Sequence, residues 1–104
     1  MKKLFRHISF AEMKNLNLDD FSLIDIRLSE AYKEGHIEGF VNITNNLVKD
    51  FLDQTSKEAN IIVCCYHGNS SQGFSQSLCE LGYKNVYSLD GGYEGWKTNC
   101  IESE

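Results

Sequence analysis

The chain has 104 residues, 41% of them apolar and 12% aromatic. That is enough for one hydrophobic core and too little for two, so residues 1–104 read as a single domain. Ten basic against fifteen acidic side chains give a formal charge of -5, which argues against nucleic acid or an anionic membrane as the main partner.

Met1-Lys2-Lys3-Leu4-Phe5 begins like a signal peptide, but Arg6 and His7 interrupt it before an apolar stretch develops. No run approaches the length that spans a bilayer. The chain therefore reads as mature, soluble and cytoplasmic. Phe5 to Ile8 reads as a short edge strand. Ser9-Phe10-Ala11-Glu12 has capping-box spacing, so a short helix is expected from there to about Leu16. Asn17 to Asp20 is turn-like, and Phe21 to Ile26 is a strand carrying Asp25 and then Arg27 at its outer end.

Ser29 is placed to cap a helical turn through Tyr32 and Lys33 that stops at Gly35, after which Phe40 to Ile43 is expected as a second core strand. Asn45 to Asp53 carries Leu47, Val48, Phe51 and Leu52 at helical spacing. Ile61-Ile62-Val63-Cys64-Cys65 is short, largely β-branched and continuous, the pattern of a central parallel strand buried on both faces. Phe74, Leu78 and Leu81 then mark a helix ending at Gly82. Val86 to Leu89 is a further strand, Asp90-Gly91-Gly92 a turn, and Tyr93 to Trp96 the start of a last helix. Strands alternating with helices imply an α/β fold, a three-layer α/β/α sandwich on a mostly parallel sheet.

The four cysteines, at 64, 65, 79 and 100, read as free thiols. A domain with a core does not need disulfides, and bridging adjacent Cys64 and Cys65 would strain the backbone. No metal site is expected, since there is no Cys-x-x-Cys pair and His7, His36 and His67 are scattered.

In open α/β sheets, ligands bind beyond the carboxyl ends of the strands, and Cys65 falls at such an end. Gly68, Asn69, Ser70 and Ser71 are small or turn-forming, so successive N–H groups can converge into an anion-binding nest reinforced by the following helix. A thiol there would ionise more readily than free cysteine, and is expected exposed at the loop mouth. The opposing reading is a buried strand cysteine, which alternation assigns to Cys64. The residues alone leave both readings open for Cys65. Asp25 and Arg27 face one side and suit a structural network, as does His36 as a loop anchor. Packing accounts for Tyr93, Trp96, Cys79 and Cys100. His67 suits either a role in tuning the local field or a solvent-facing imidazole.

Cys65-Tyr66-His67-Gly68-Asn69-Ser70-Ser71 resembles the active-site loop of single-domain bacterial thiosulfate sulfurtransferases of the rhodanese family, the GlpE type. Leu23 to Arg27 with Gly35 to Ile43 is similar to the amino-terminal signature of that family, and Gly91-Gly92-Tyr93-Glu94-Gly95-Trp96 to the carboxyl-terminal one. The resemblance implies a five-stranded sheet, Cys65 as the persulfide-forming nucleophile, and the backbone amides of Tyr66, His67, Gly68, Asn69, Ser70 and Ser71 as the group that holds the anionic sulfur. It implies a small anionic sulfur donor such as thiosulfate, a thiol or cyanide acceptor, a dithiol protein among them, and no metal or organic cofactor. Many rhodanese loops carry Arg or Lys where this chain offers His67 and Gln72, which brings in a less charged donor or a protein persulfide. Competing readings are a persulfide carrier acting with a partner, a redox switch at Cys64-Cys65, and a cysteine phosphatase. The last needs an arginine six positions after the nucleophile, where Ser71 stands.

Overall fold

The run Ile61-Ile62-Val63-Cys64 is buried on both of its faces, and the rest of the molecule is arranged around it. The structure, a computed structural model, describes residues 2–102, with side chains through Thr98. Along the chain come β1 (Arg6–Ile8), α1 (Phe10–Lys14), β2 (Phe21–Asp25), α2 (Ser29–Glu34), β3 (Val41–Asn42), α3 (Val48–Gln54), β4 (Asn60–Cys64), α4 (Ser70–Glu80), β5 (Asn85–Leu89) and α5 (Gly92–Glu102). Short 3-10 turns cover Leu18–Asp20 and Asn45–Leu47. The strands form one sheet in the order β1-β5-β4-β2-β3, and every described pairing is parallel.

Alternation along β4 sorts the core into two halves. Ile61 and Val63 pack with Leu78 of α4 and with Phe51 and Leu52 of α3. Ile62 and Cys64 pack on the other side with Met13 of α1 and with Tyr93 and Trp96 of α5. This is the expected three-layer sandwich. The capping box forms as its spacing predicts: the Glu12 amide donates to Ser9 Oγ at 3.0 Å and the Ser9 amide to Glu12 Oε1 at 2.9 Å.

Two local expectations fail. The segment from Phe40 to Ile43 is not a core strand; β3 is a two-residue edge strand paired only to β2, and Val41 is 58% exposed. Its apolar character comes from Phe40 and Ile43, which bury their side chains as the chain enters and leaves the edge. Ser29 does not cap α2 either. The cap position belongs to Leu28, which has no side-chain hydrogen bond, and the Ser29 hydroxyl instead contacts Glu30 Oε1 at 3.4 Å.

The register brings Asp25 opposite Cys64 and Val63 opposite Ser88, so the carboxyl ends of β2, β4 and β5 finish side by side. The loops that follow them therefore meet over one end of the sheet, where α/β proteins build their sites. Among the described residues no helix is long and apolar enough to cross a membrane.

This sheet order predicts very different costs for two aliphatic truncations. Ile62→Ala, in the centre, should lose about 2–5 kcal/mol of stability, whereas Val41→Ala on the edge should stay within about 0.5 kcal/mol. Urea unfolding of the two variants measures both, and comparable losses would contradict the edge position of β3.

Candidate active site

Cys65 is the first residue past β4, and its sulfur lies on the α4 side of the sheet, opposite to that of Cys64. Two backbone amides donate to Cys65 Sγ, those of Gly68 and Ser71, each at 3.2 Å. The Ser71 amide is one of those at the start of α4 that no intrahelical carbonyl can serve. The Ser71 hydroxyl lies 3.3 Å from the same sulfur. The loop thus wraps the Cys65 sulfur as an anion nest would.

The exposure expected for Cys65 is not found: the residue is 2% exposed. The reason is the tightness of the loop, which turns back over the sulfur to make those hydrogen bonds. The sulfur sits at the floor of a cradle whose rim carries the exposed residues Tyr66, His67, Asn69 and Ser70. Of the six loop residues singled out in the sequence, Gly68 and Ser71 hydrogen-bond to the sulfur. The other four line the rim without doing so in this state.

The first turn of α5 fixes the cradle from behind. The Tyr93 amide donates to the Cys65 carbonyl at 2.8 Å and the Glu94 amide to the Tyr66 carbonyl at 3.0 Å. The approach is possible because residue 92 is glycine: a Cβ there would meet the Cys65 carbonyl oxygen and, at 2.8 Å, the His67 nitrogen. Gly68, with φ at +90°, makes the matching contact, since a Cβ on it would lie 2.8 Å from the Gly91 nitrogen. Gln72 closes the loop by donating from Nε2 to the Gly68 carbonyl at 2.8 Å.

Asp25 and Arg27 form the structural network that their spacing suggests. Arg27 Nε lies 3.1 Å from each carboxylate oxygen of Asp25, Nη2 lies 2.9 Å from Oδ2, and both side chains are essentially buried. Nη2 also donates to the Gly35 carbonyl at 2.8 Å. The guanidinium faces the ring of Tyr93 at 4.1 Å and that of Tyr66 at 5.6 Å, which links the end of β2 to the cradle and to α5. Its charge is thereby committed to Asp25. His36 anchors locally, with Nδ1 2.9 Å from the Tyr32 carbonyl and its ring stacked on Tyr32.

Burial pushes the Cys64 thiol well above the ordinary thiol range, and the nearby Asp25 carboxylate adds to the effect. A thiol held neutral in this way is a packing residue. Cys64, Cys65 and Cys79 are all free, while the side chain of Cys100 lies outside the described residues.

Two residues that matter to the cradle were not singled out individually in the sequence. Gly92 enters the sequence reading only within a turn and within the carboxyl-terminal signature. Ser88, fully buried on β5, places its Oγ 2.7 Å from Ser71 Oγ. A signal for Ser88 existed, because alternation within Val86-Tyr87-Ser88-Leu89 turns it to the same buried face as Val86.

Residues 9–99 match the family model of the rhodanese-like domain. The chain belongs to the rhodanese family. Among curated relatives of this rhodanese domain, a protein of Tolumonas auensis named thiosulfate sulfurtransferase GlpE is 44% identical over 82 residues, covering 79% of this chain and 77% of that one. A protein of the same name from Shewanella oneidensis is 38% identical over 93 residues, or 88% of this chain and 92% of the relative. Among solved structures, reduced Bacillus anthracis CoADR-RHD matches with a TM-score of 0.81 at 26% identity. That match covers 95% of this rhodanese domain but only 18% of the larger chain.

The glycines of the domain should separate by their surroundings. Gly92→Ala should cost about 1–3 kcal/mol, because the methyl group meets backbone that cannot easily move. Gly73→Ala, on α4 where a Cβ meets nothing within 4 Å, should gain about 0.5–1 kcal/mol from helix propensity. Chemical denaturation measures both, and a tolerated Gly92→Ala would remove the basis for the close approach of α5.

Proposed function

We propose that this protein is a thiosulfate sulfurtransferase that carries the transferred sulfur as a persulfide on Cys65. The observation that carries the reading is the convergence of the Gly68 and Ser71 amides on Cys65 Sγ. Such donors stabilise negative charge on sulfur without a carboxylate or imidazole base, and they are in place before the reaction starts. The names of the curated relatives point the same way.

The cycle has two displacements. The Cys65 thiolate attacks the outer sulfur of thiosulfate, a sulfur–sulfur bond forms to Cys65, and the bond to the sulfonate sulfur breaks with its electron pair leaving on sulfite. The terminal sulfur of the persulfide then carries the negative charge, within the loop of Tyr66, His67, Gly68, Asn69, Ser70 and Ser71. In the second step cyanide or a thiolate, including one of a dithiol protein, attacks that terminal sulfur and Cys65 leaves as thiolate. Neither step calls for a metal or an organic cofactor. We place the activity in the cytoplasm, where cysteine is kept reduced.

Donor binding rests on backbone amides. The side chain of Gln72 is engaged by the Gly68 carbonyl, Arg27 is engaged by Asp25, and His67 is exposed on the rim. A phosphatase reading has no support from this arrangement. The sixth position after Cys65 holds Ser71, whose hydroxyl lies against the sulfur, where phosphoryl transfer would need a forked guanidinium.

Intact-mass measurement after incubation with thiosulfate tests the proposal. Wild-type protein should gain one sulfur atom that cyanide or dithiothreitol removes, Cys64→Ser should gain it too, and Cys65→Ser should gain none. Loading retained in Cys65→Ser would show that another residue carries the sulfur. Multiple turnovers with cyanide should follow for an enzyme, whereas a carrier would stop after one equivalent.

A further inference from the structure

Behind the cradle lies a chain of three polar atoms with no access to solvent. Cys65 Sγ is 3.3 Å from Ser71 Oγ, which is 2.7 Å from Ser88 Oγ, and both serines are 0% exposed. Ser88 Oγ has Ser71 as its hydrogen-bond partner and, among the described residues, no other. The placement is rigid, because Ser71 is fixed on α4 by the hydrogen bond that its backbone N–H donates to the sulfur and Ser88 is held within the ladder between Val63 and His7.

The protons of this chain can run in two directions. With sulfur as a thiol, its hydrogen goes to Ser71, the Ser71 hydrogen goes to Ser88, and the Ser88 hydrogen is left without an acceptor. With sulfur as a thiolate, Ser88 donates to Ser71, Ser71 donates to sulfur, and every hydrogen is used. A buried donor without an acceptor is costly, so Ser88 biases the Ser71 hydroxyl to point its hydrogen at the sulfur. Ser75 supplies the contrast: it lies one turn along α4, is equally buried, and its Oγ has no partner.

We propose that Ser88 is a positioning residue for the sulfur-transfer chemistry, acting through Ser71 to aim a hydroxyl hydrogen at Cys65 Sγ whenever that sulfur is anionic. It acts in the free enzyme and again when Cys65 leaves in the second step. After the first step the charge lies on the outer sulfur, and the hydroxyl chain is free to turn back. The inference rests on Cys65 being the nucleophile.

The test is the pH profile of iodoacetamide alkylation, read at Cys65 by peptide mass spectrometry in the full chain. Ser88→Ala should react about threefold more slowly near pH 7, since the Ser71 hydroxyl that donates to the thiolate loses the Ser88 donor that aims and polarises it, and should reach the wild-type rate at high pH. Ser88→Thr, which keeps the hydroxyl, should restore the profile, and Ser75→Ala should match wild type. The charged and titratable groups on the surrounding elements are unchanged in all four proteins: His7 on β1, Asp25 at the end of β2 and Arg27 just past it, Cys64 on β4, His67 in the loop, Asp90 after β5 and Glu94 on α5. A Ser88→Ala profile that superimposes on wild type would overturn the proposal. So would a rate depressed equally at every pH, or an equal displacement in Ser75→Ala, because either would mean general packing. Failure of the nucleophile assignment would instead appear as persulfide loading retained in Cys65→Ser, a separate measurement.

Discussion

The cradle depends on two hydrogen bonds that never touch the sulfur. The amides of Tyr93 and Glu94, at the start of α5, hold the carbonyls of Cys65 and Tyr66. A peptide group is planar, with its N–H opposite its C=O, so tying those carbonyls toward α5 sends the next two N–H groups the other way. The loop then continues with its amides turned inward, and those of Gly68 and Ser71 reach the sulfur. A helix terminus has unserved donors in any case. Here one terminus, that of α5, shapes the loop, and another, that of α4, provides a donor to the sulfur.

The positive side chain of Arg27 is given another task. Arg27 is neutralised by Asp25 and flanked by the rings of Tyr66 and Tyr93, so it stiffens the junction of β2, the cradle and α5. Removing one member of a buried ion pair leaves the other unpaired at high cost, which gives this network strong leverage over the position of Tyr66. The field at the sulfur is consequently one of dipoles. Dipoles fixed by the backbone need little rearrangement when charge develops in front of them.

Much of this organisation is legible in the sequence. The continuous apolar run at 61–65 points to the central strand, the Ser9 to Glu12 spacing to the first cap, and the small residues after Cys65 to the loop that turns around its sulfur. Each is a local signal, set by nearest neighbours and periodicity. What escaped was set by tertiary contacts. Val41 reads as core on composition, but its environment depends on whether a further strand pairs with β3, and among the described residues none does. The burial of Cys65 depends on how far the loop turns back, which residues 65–71 set together with the α5 amides that hold two of their carbonyls. Ser88 acquires meaning only through Ser71, seventeen positions earlier and on a different element.

The two rims of the sheet are short, three residues in β1 and two in β3. Unpaired peptide groups along a rim are a template on which a foreign strand can grow, and growth needs several consecutive rungs. Neither side offers them. A parallel sheet with a fully apolar centre is thus guarded against fibrous self-association by the brevity of its margins.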